Sequence, residues 1–160
     1  MGTVRIDQEY LAVTLPEGFE DIEHKELERL MDISYDCLWG VRDTGRHMMI
    51  TVTWKDSSKL LTKLVNERGR AKQIDKNYAR CRNGEAYRSD GIKERVVTGA
   101  DAPASGFHFA YRVEDVDQEG EVWVFKRGIR CYTLVIYTRS EVAADNAAVL
   151  EDILASLTVQ

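Results

Sequence analysis

The stretch IRCYTLVIYTRSE, residues 129–141, is apolar or β-branched for almost ten residues and then turns abruptly polar. Successive strand residues point to opposite faces. Cys131, Val135 and Tyr137 therefore share one face, with Tyr132, Leu134 and Ile136 on the other, and neither face suits water. A central strand covered above and below is the simplest structure that satisfies this pattern. The preceding segments FHFAYRV and EVWVFKR read as strands joined by tight polar connections, which force antiparallel neighbours. In the first of these, Phe107, Phe109 and Tyr111 share a face, and His108, Ala110 and Arg112 lie opposite.

Two helices are available as covers. Ser140 reads as the cap of a final helix whose apolar stripe is Val142, Ala143, Val149, Leu150, Ile153, Leu154 and Leu157. Asp56-Ser57-Ser58 reads as the cap of a long helix that carries Leu60, Leu61, Leu64, Val65, Ala71, Ile74 and Tyr78 on one side. That helix runs to about Cys81, with a kink at Gly69 and a stop at Asn83-Gly84. On opposite faces, the two helices make an α+β fold, an α/β/α sandwich with a central antiparallel sheet. Upstream, residues 10–15 read as a strand ended by Pro16, and Ile22, Leu27, Leu30 and Met31 as the apolar side of a short helix. YDCLWGVR and HMMITVTW flank Asp43-Thr44-Gly45, a hairpin signal because Asp and Gly tolerate left-handed backbone. Short strands are expected near residues 85–87 and 92–98. No repeat, low-complexity tract or linker divides the chain, so residues 1–160 read as one domain.

A chain of 160 residues can remove about 70% of its unfolded surface from water without metal or disulfide staples. Cys37, Cys81 and Cys131 lack C-x-x-C spacing, which argues against a disulfide framework and a zinc site. Cys37 and Cys131 fall in strand patterns, where a thiol behaves as a small hydrophobe. No apolar run approaches the roughly 20 residues of a membrane helix. The start, MGTVRIDQEYLAV, lacks the basic and apolar regions of a secretory signal. The chain therefore reads as cytoplasmic, with no membrane partner. Its formal charge of −5 is unevenly spread: residues 68–95 carry nine Lys/Arg and four Asp/Glu, an excess of +5, which leaves −10 for the remainder. Such polarity steers charged partners.

A first strand ending in LPEGF, a hairpin, one long helix, an antiparallel meander and a closing helix VLEDILASL together resemble the PsbP-like superfamily. That superfamily holds the PsbP extrinsic proteins of photosystem II, a Ran-GTPase-binding nuclear import factor and bacterial DcrB-type and LpqN-type proteins. The resemblance spans most of the chain, with Pro16-Glu17-Gly18-Phe19 and Ile153-Leu154-Ala155-Ser156-Leu157 as its best local carriers. It implies a PsbP-like domain with a non-catalytic, partner-binding or assembly role. It transfers no catalytic residue, because the superfamily has no shared catalytic motif.

Asp115, Asp117, Glu119 and Gly120 begin like a calcium loop, but the twelfth position is Lys126 and strands flank it, so an acidic hairpin loop fits better. Asp43-Thr44-Gly45 is also the aspartic-protease tripeptide, placed here where a turn is needed. His24, His47 and His108 have no metal-ligand spacing, and neither a G-x-S-x-G elbow nor a glycine-rich phosphate loop is present. No catalytic residue, metal or cofactor is assigned. The run RGRAKQIDKNYARCRNGEAYR interleaves Arg68, Arg70, Lys72, Lys76, Arg80, Arg82 and Arg88 with Tyr78 and Tyr87, as nucleic-acid sites do. A pI near 5.3 and the acids Asp75 and Glu85 argue against phosphate binding. The reading is a protein-interaction or assembly module that docks an acidic partner on Trp54, Arg68, Lys72, Lys76, Arg80, Arg82 and Arg88. Its alternative is an enzyme or small-ligand carrier with a pocket between sheet and helix, served by His47 or His108. Homo-oligomerisation through an exposed edge strand is a further expectation.

Overall fold

The computed structural model describes residues 2–7, 10–31, 37–58, 66–81 and 86–160. The first half of the chain forms β1 (Gly2–Ile6), β2 (Leu11–Leu15), β3 (Glu20–Asp21), α1 (His24–Met31), β4 (Leu38–Asp43), β5 (Met48–Asp56) and α2 (Glu67–Cys81). The second half forms β6 (Arg88–Ser89), β7 (Lys93–Arg95), β8 (Ala104–Val113), β9 (Val116–Arg127), β10 (Arg130–Arg139), α3 (Ala143–Ala155) and β11 (Thr158–Val159). A large antiparallel sheet has the order β3-β4-β5-β10-β9-β8-β6, with β7 also on β8, and a small sheet has the order β1-β2-β11.

β10, the strand with two apolar faces, lies between β5 and β9 in the middle of the large sheet. Tyr132, Leu134 and Ile136 join one core, which holds Leu150, Ile153, Leu154 and Leu157 from α3 and its end, and Leu11, Val13 and Leu15 from β2. Val135, with Cys131 and Tyr137 packed beside it, joins another that holds Ala71 and Ile74 of α2 with Phe107, Phe109, Val122 and Val124. The sandwich expected from the sequence is therefore present, and the α3 face gains the small sheet as additional cover. On the α2 face, α1 covers the β4 end. Leu27 lies over Gly40, where a Cβ would stand 2.8 Å from the leucine's Cδ1. Between β8 and β9, two glycines each accommodate an aromatic ring of the facing strand. Trp123 lies across Gly106 on the α3 face, and Phe109 lies across Gly120 on the α2 face.

Two residues expected to shape the helices, Gly69 and Ser140, act differently. Asn66 caps α2, its Oδ1 accepting the Gly69 N–H at 2.7 Å, so Gly69 serves the first turn rather than a kink. Asp56 ends β5, and the helix expected after Asp56-Ser57-Ser58, like the Asn83-Gly84 stop, falls on residues 59–65 and 82–85, outside the described residues. Ser140 opens a single 3₁₀ turn without a side-chain cap, and α3 starts at Ala143. Buried Asn146 ties that start to the sheet by donating to the Arg46 carbonyl (2.8 Å) and Thr138 Oγ1 (3.0 Å). Cys37 is exposed at a bend before β4 rather than in a strand. In the β4–β5 hairpin the left-handed residue is His47 (φ 55°), not Gly45.

One ionic cluster joins the small sheet to the large one. Arg130 Nη1 donates to both Asp7 oxygens at 2.7 Å, while its Nε and Nη2 reach Asp56 at 2.6 and 3.0 Å. Tyr132 donates its hydroxyl to Asp7 at 2.6 Å. Burial and the Asp7 carboxylate push that hydroxyl's pKa up, and hydrogen bonds to Asp56 and Asp7 hold the guanidinium protonated.

Candidate interaction surface

Arg68, Lys72, Lys76 and Arg80 recur at i, i+4, i+8 and i+12 on α2, and all four are exposed. At 100° per residue each step drifts by about 40°, so the row winds about 120° around the helix over about 18 Å. Two contacts orient it. Asp75, near the Arg68 flank, accepts hydrogen bonds from Tyr87 (2.7 Å) and Ser89 (2.9 Å) at the β6 edge. Arg70 stands on the opposite flank, about 200° round the helix from Arg68. The basic row therefore begins towards β6 and drifts towards the middle of the sheet, where Arg80 bonds Asn77 at 2.9 Å. Among the described residues, no carboxylate lies within ion-pair distance of Arg68, Lys72 or Lys76. Asp75, which sequence reading counted against a basic face, is turned inward.

The other expected surface residues do not join this row. Trp54 pairs with Tyr132 and packs on the α3-side core, across the sheet from α2. Arg88 is exposed on β6 and lines a cleft with Ala110, Arg112 and Asp117, also away from α2. Arg82 lies outside the described residues. Tyr78 and Tyr87 are core residues packed edge-on to each other and against Phe109, which removes the stacking rings a single-stranded nucleic acid would use.

The histidines of the alternative reading occupy separate clefts. His108 lines a cleft of about 460 Å³ between α3 and the sheet, its Nε2 at 2.7 Å from Glu119 Oε2. His47 lines a groove of about 840 Å³ on the α2 face, between α1 and α2. The acidic loop is a two-residue turn, Glu114 and Asp115, both with positive φ. Asp117 is bound by Arg112 (2.8 Å) and Glu119 by His108. Among the described residues, no three His, Cys, Asp or Glu side chains are grouped to hold a metal ion. Burial pushes the Cys131 thiol up, away from thiolate chemistry.

Gly18 of the Pro-Glu-Gly-Phe turn has φ 112°, and a Cβ there would stand 2.6 Å from Asp43 Oδ2. Asp43 is buried in an ion pair with Arg46, whose Nη1 also donates to the Glu17 carbonyl at 2.8 Å. The motif is thus a structural clasp between the end of β2 and the β4–β5 hairpin. The large sheet's edges are short and charged: Glu20 and Asp21 in β3 at one end, Arg88, Lys93, Glu94 and Arg95 in β6 and β7 at the other. Edges of this kind resist pairing with another chain.

An antiparallel sheet covered by helices on both faces, with this order of elements, is a PsbP-like fold. The solved structure of cyanobacterial PsbP (CyanoP) from Synechocystis sp. PCC 6803 is similar, with a TM-score of 0.66 at 14% identity over 99% of this chain and 92% of that one. So is Mog1, with a TM-score of 0.60 at 8% identity over 99% and 95% of the two chains. LpqN of Mycobacterium tuberculosis, described as involved in cell envelope biogenesis, gives 0.58 at 10% identity over 94% and 83%. No family model and no curated protein sequence matches the chain. Among the described residues, no helix is long and apolar enough to cross a membrane.

Proposed function

We propose that this protein is a non-catalytic interaction or assembly module that docks an acidic protein on Arg68, Lys72, Lys76 and Arg80. The observation that carries this reading is the row of four exposed cations on one helix of an otherwise acidic chain. Like charges along one face attract a complementary carboxylate surface and raise its encounter rate. Nucleic acid is the weaker fit, because the interleaved tyrosines are engaged in the core. The same reading keeps the chain in the cytoplasm, where three free thiols suit a reducing compartment.

The test is affinity capture from the host lysate with wild type and with the Arg68/Lys72/Lys76/Arg80→Glu variant, then stopped-flow association kinetics with the purified captured protein. The expected partner is acidic, binds more weakly as salt rises, and loses about tenfold to a thousandfold in association rate with the variant. A purified partner that binds both proteins alike removes this surface.

A further inference from the structure

We infer that β1 is the seat of a homodimer, in which the β1 strands of two copies pair antiparallel about a two-fold axis through Val4. This goes beyond the basic-row reading and uses the α3 face of the molecule instead. The large sheet protects its edges with short charged strands. In the small sheet, β11 is closed by Thr98, whose carbonyl accepts the Val159 N–H at 2.9 Å, and by Gly99, where a Cβ would stand 1.8 Å from the Val159 carbonyl oxygen. β1 differs: among the described residues, no strand pairs on its outer side. Hydrogen bonds in β2 show which backbone groups of β1 face outward. Thr14 turns its N–H and C=O to Ser156 Oγ, at 2.8 and 3.4 Å, and the Tyr10 carbonyl accepts the Gln160 N–H at 2.8 Å. In an antiparallel ladder both groups of one residue point the same way, and the direction alternates along the strand. Leu11, Val13 and Leu15 therefore bond β1 through their partners Ile6, Val4 and Gly2. The N–H and C=O groups of Thr3 and Arg5 are left at the edge.

This strand is complementary to itself. With Val4 opposite Val4 of the second copy, Thr3 of each chain faces Arg5 of the other. These are the outward-facing residues, so each such pair exchanges both of its N–H···O bonds. A register centred on Arg5 would set like charges directly opposite, which destabilises a pair of strands. One centred on Thr3 would overlap only part of β1, whereas the Val4 register uses the whole of Gly2–Ile6. The side chains agree with it. Thr3 and Arg5 are exposed, while Val4 packs half-buried at the margin of the α3-side core. Two Val4 side chains that meet across a non-hydrogen-bonded pair extend that core from one copy into the next. β1 also lacks the proline or bulge that blocks addition of a strand. A two-fold contact closes on itself, so it joins two three-stranded sheets into one and stops there. With one short strand from each copy the contact is small, and the dimer is a weak one.

Sedimentation velocity of the full chain, from about 10 μM to about 1 mM, is expected to show a monomer–dimer equilibrium. The Thr3→Pro/Arg5→Pro variant removes the outward N–H groups and none that bond β2, which is where an edge strand tolerates proline. It is expected to weaken the dimer by about tenfold or more. Thr3→Glu sets a carboxylate opposite Arg5 of the second copy and is expected to tighten the dimer by about two- to tenfold. Thr3→Arg is expected to weaken it by a similar factor. Thr3 is exposed, so these two changes leave the fold intact and carry the test if the proline variant does not fold. Amide exchange at Thr3 and Arg5, and not at Val4, should slow as the concentration rises. A chain that stays monomeric throughout overturns the proposal, and so does a dimer insensitive to the charge placed at residue 3. A dimer lost only on reversal of Arg68, Lys72, Lys76 and Arg80 overturns it too, and moves the contact to α2.

Discussion

The two faces of the large sheet are built differently. On the α3 face, one core of twenty buried side chains among the described residues runs from β1 to β11 beneath a helix and a second sheet. On the α2 face, the described buried residues form two separate clusters, of eight and three, with a Met- and Tyr-lined groove between their helices. The difference follows from the covers. A helix flanked by strands whose alternate residues point inward packs one face continuously, whereas α1 and α2, among the described residues, each pack a cluster of their own.

Adjacent residues of β10 sharpen this contrast most strongly. Ile136 is fully buried on the sealed face, and Ile136→Ala should cost about 2–5 kcal/mol in chemical denaturation. Tyr137 lines the groove and meets Phe109 edge-on at 6.0 Å. Tyr137→Ala should cost about 1–2 kcal/mol, mostly from that ring pair and partial burial. Equal costs would break the comparison. Gly106→Ala and Gly120→Ala probe both faces with one chemistry, since their Cβ atoms would stand 2.1 and 2.0 Å from backbone carbonyls of the neighbouring strand. Each should destabilise by about 1–3 kcal/mol or more. The Gly106 change should displace Trp123 and alter its fluorescence, and the Gly120 change should leave that signal alone.

Asn66→Ala should remove about 1 kcal/mol by uncapping α2. Hydrogen exchange should quicken in that helix and not in α3. The smallest effect is an acid one at the corner of the sealed face. Burial alone would raise the Asp43 carboxyl, but hydrogen bonds from the Arg46 guanidinium and backbone hold it below its ordinary 3.8. The unfolded chain then takes up that proton first as pH falls. The contribution is complete above the unfolded value and disappears as pH drops through the folded one. Arg46→Gln should move this loss to higher pH, read from urea midpoints between about pH 3 and 6.

Alternation made β10 legible, because a period of two needs no tertiary information, and its two faces meet the covers expected of them. The four-residue row on α2 was equally legible, since helical spacing alone aligns Arg68, Lys72, Lys76 and Arg80. Trp54 and Arg88 were misassigned because the face a strand residue adopts depends on a register set far away in sequence. The groove has no local signature: Met31, Met49, Tyr78, Tyr111 and Tyr137 come from five different elements. Ser140 was misread as a side-chain cap, because the turn it opens is a single 3₁₀ turn. Asp56 bonds Arg130, and Asn66 starts the described helix.

The ionic cluster at Arg130 also bears on how the chain is made. Asp7 waits for Arg130 and Tyr132, and β2 waits for Thr158 and Val159, its partners across the small sheet. During synthesis the first hairpin leaves the ribosome with Leu11, Val13 and Leu15 uncovered and the β2 edge unpaired. It stays so until nearly 150 further residues have emerged. Until β11 emerges the nascent chain therefore offers chaperones an apolar hairpin, and the small sheet closes only when Thr158 and Val159 pair with β2.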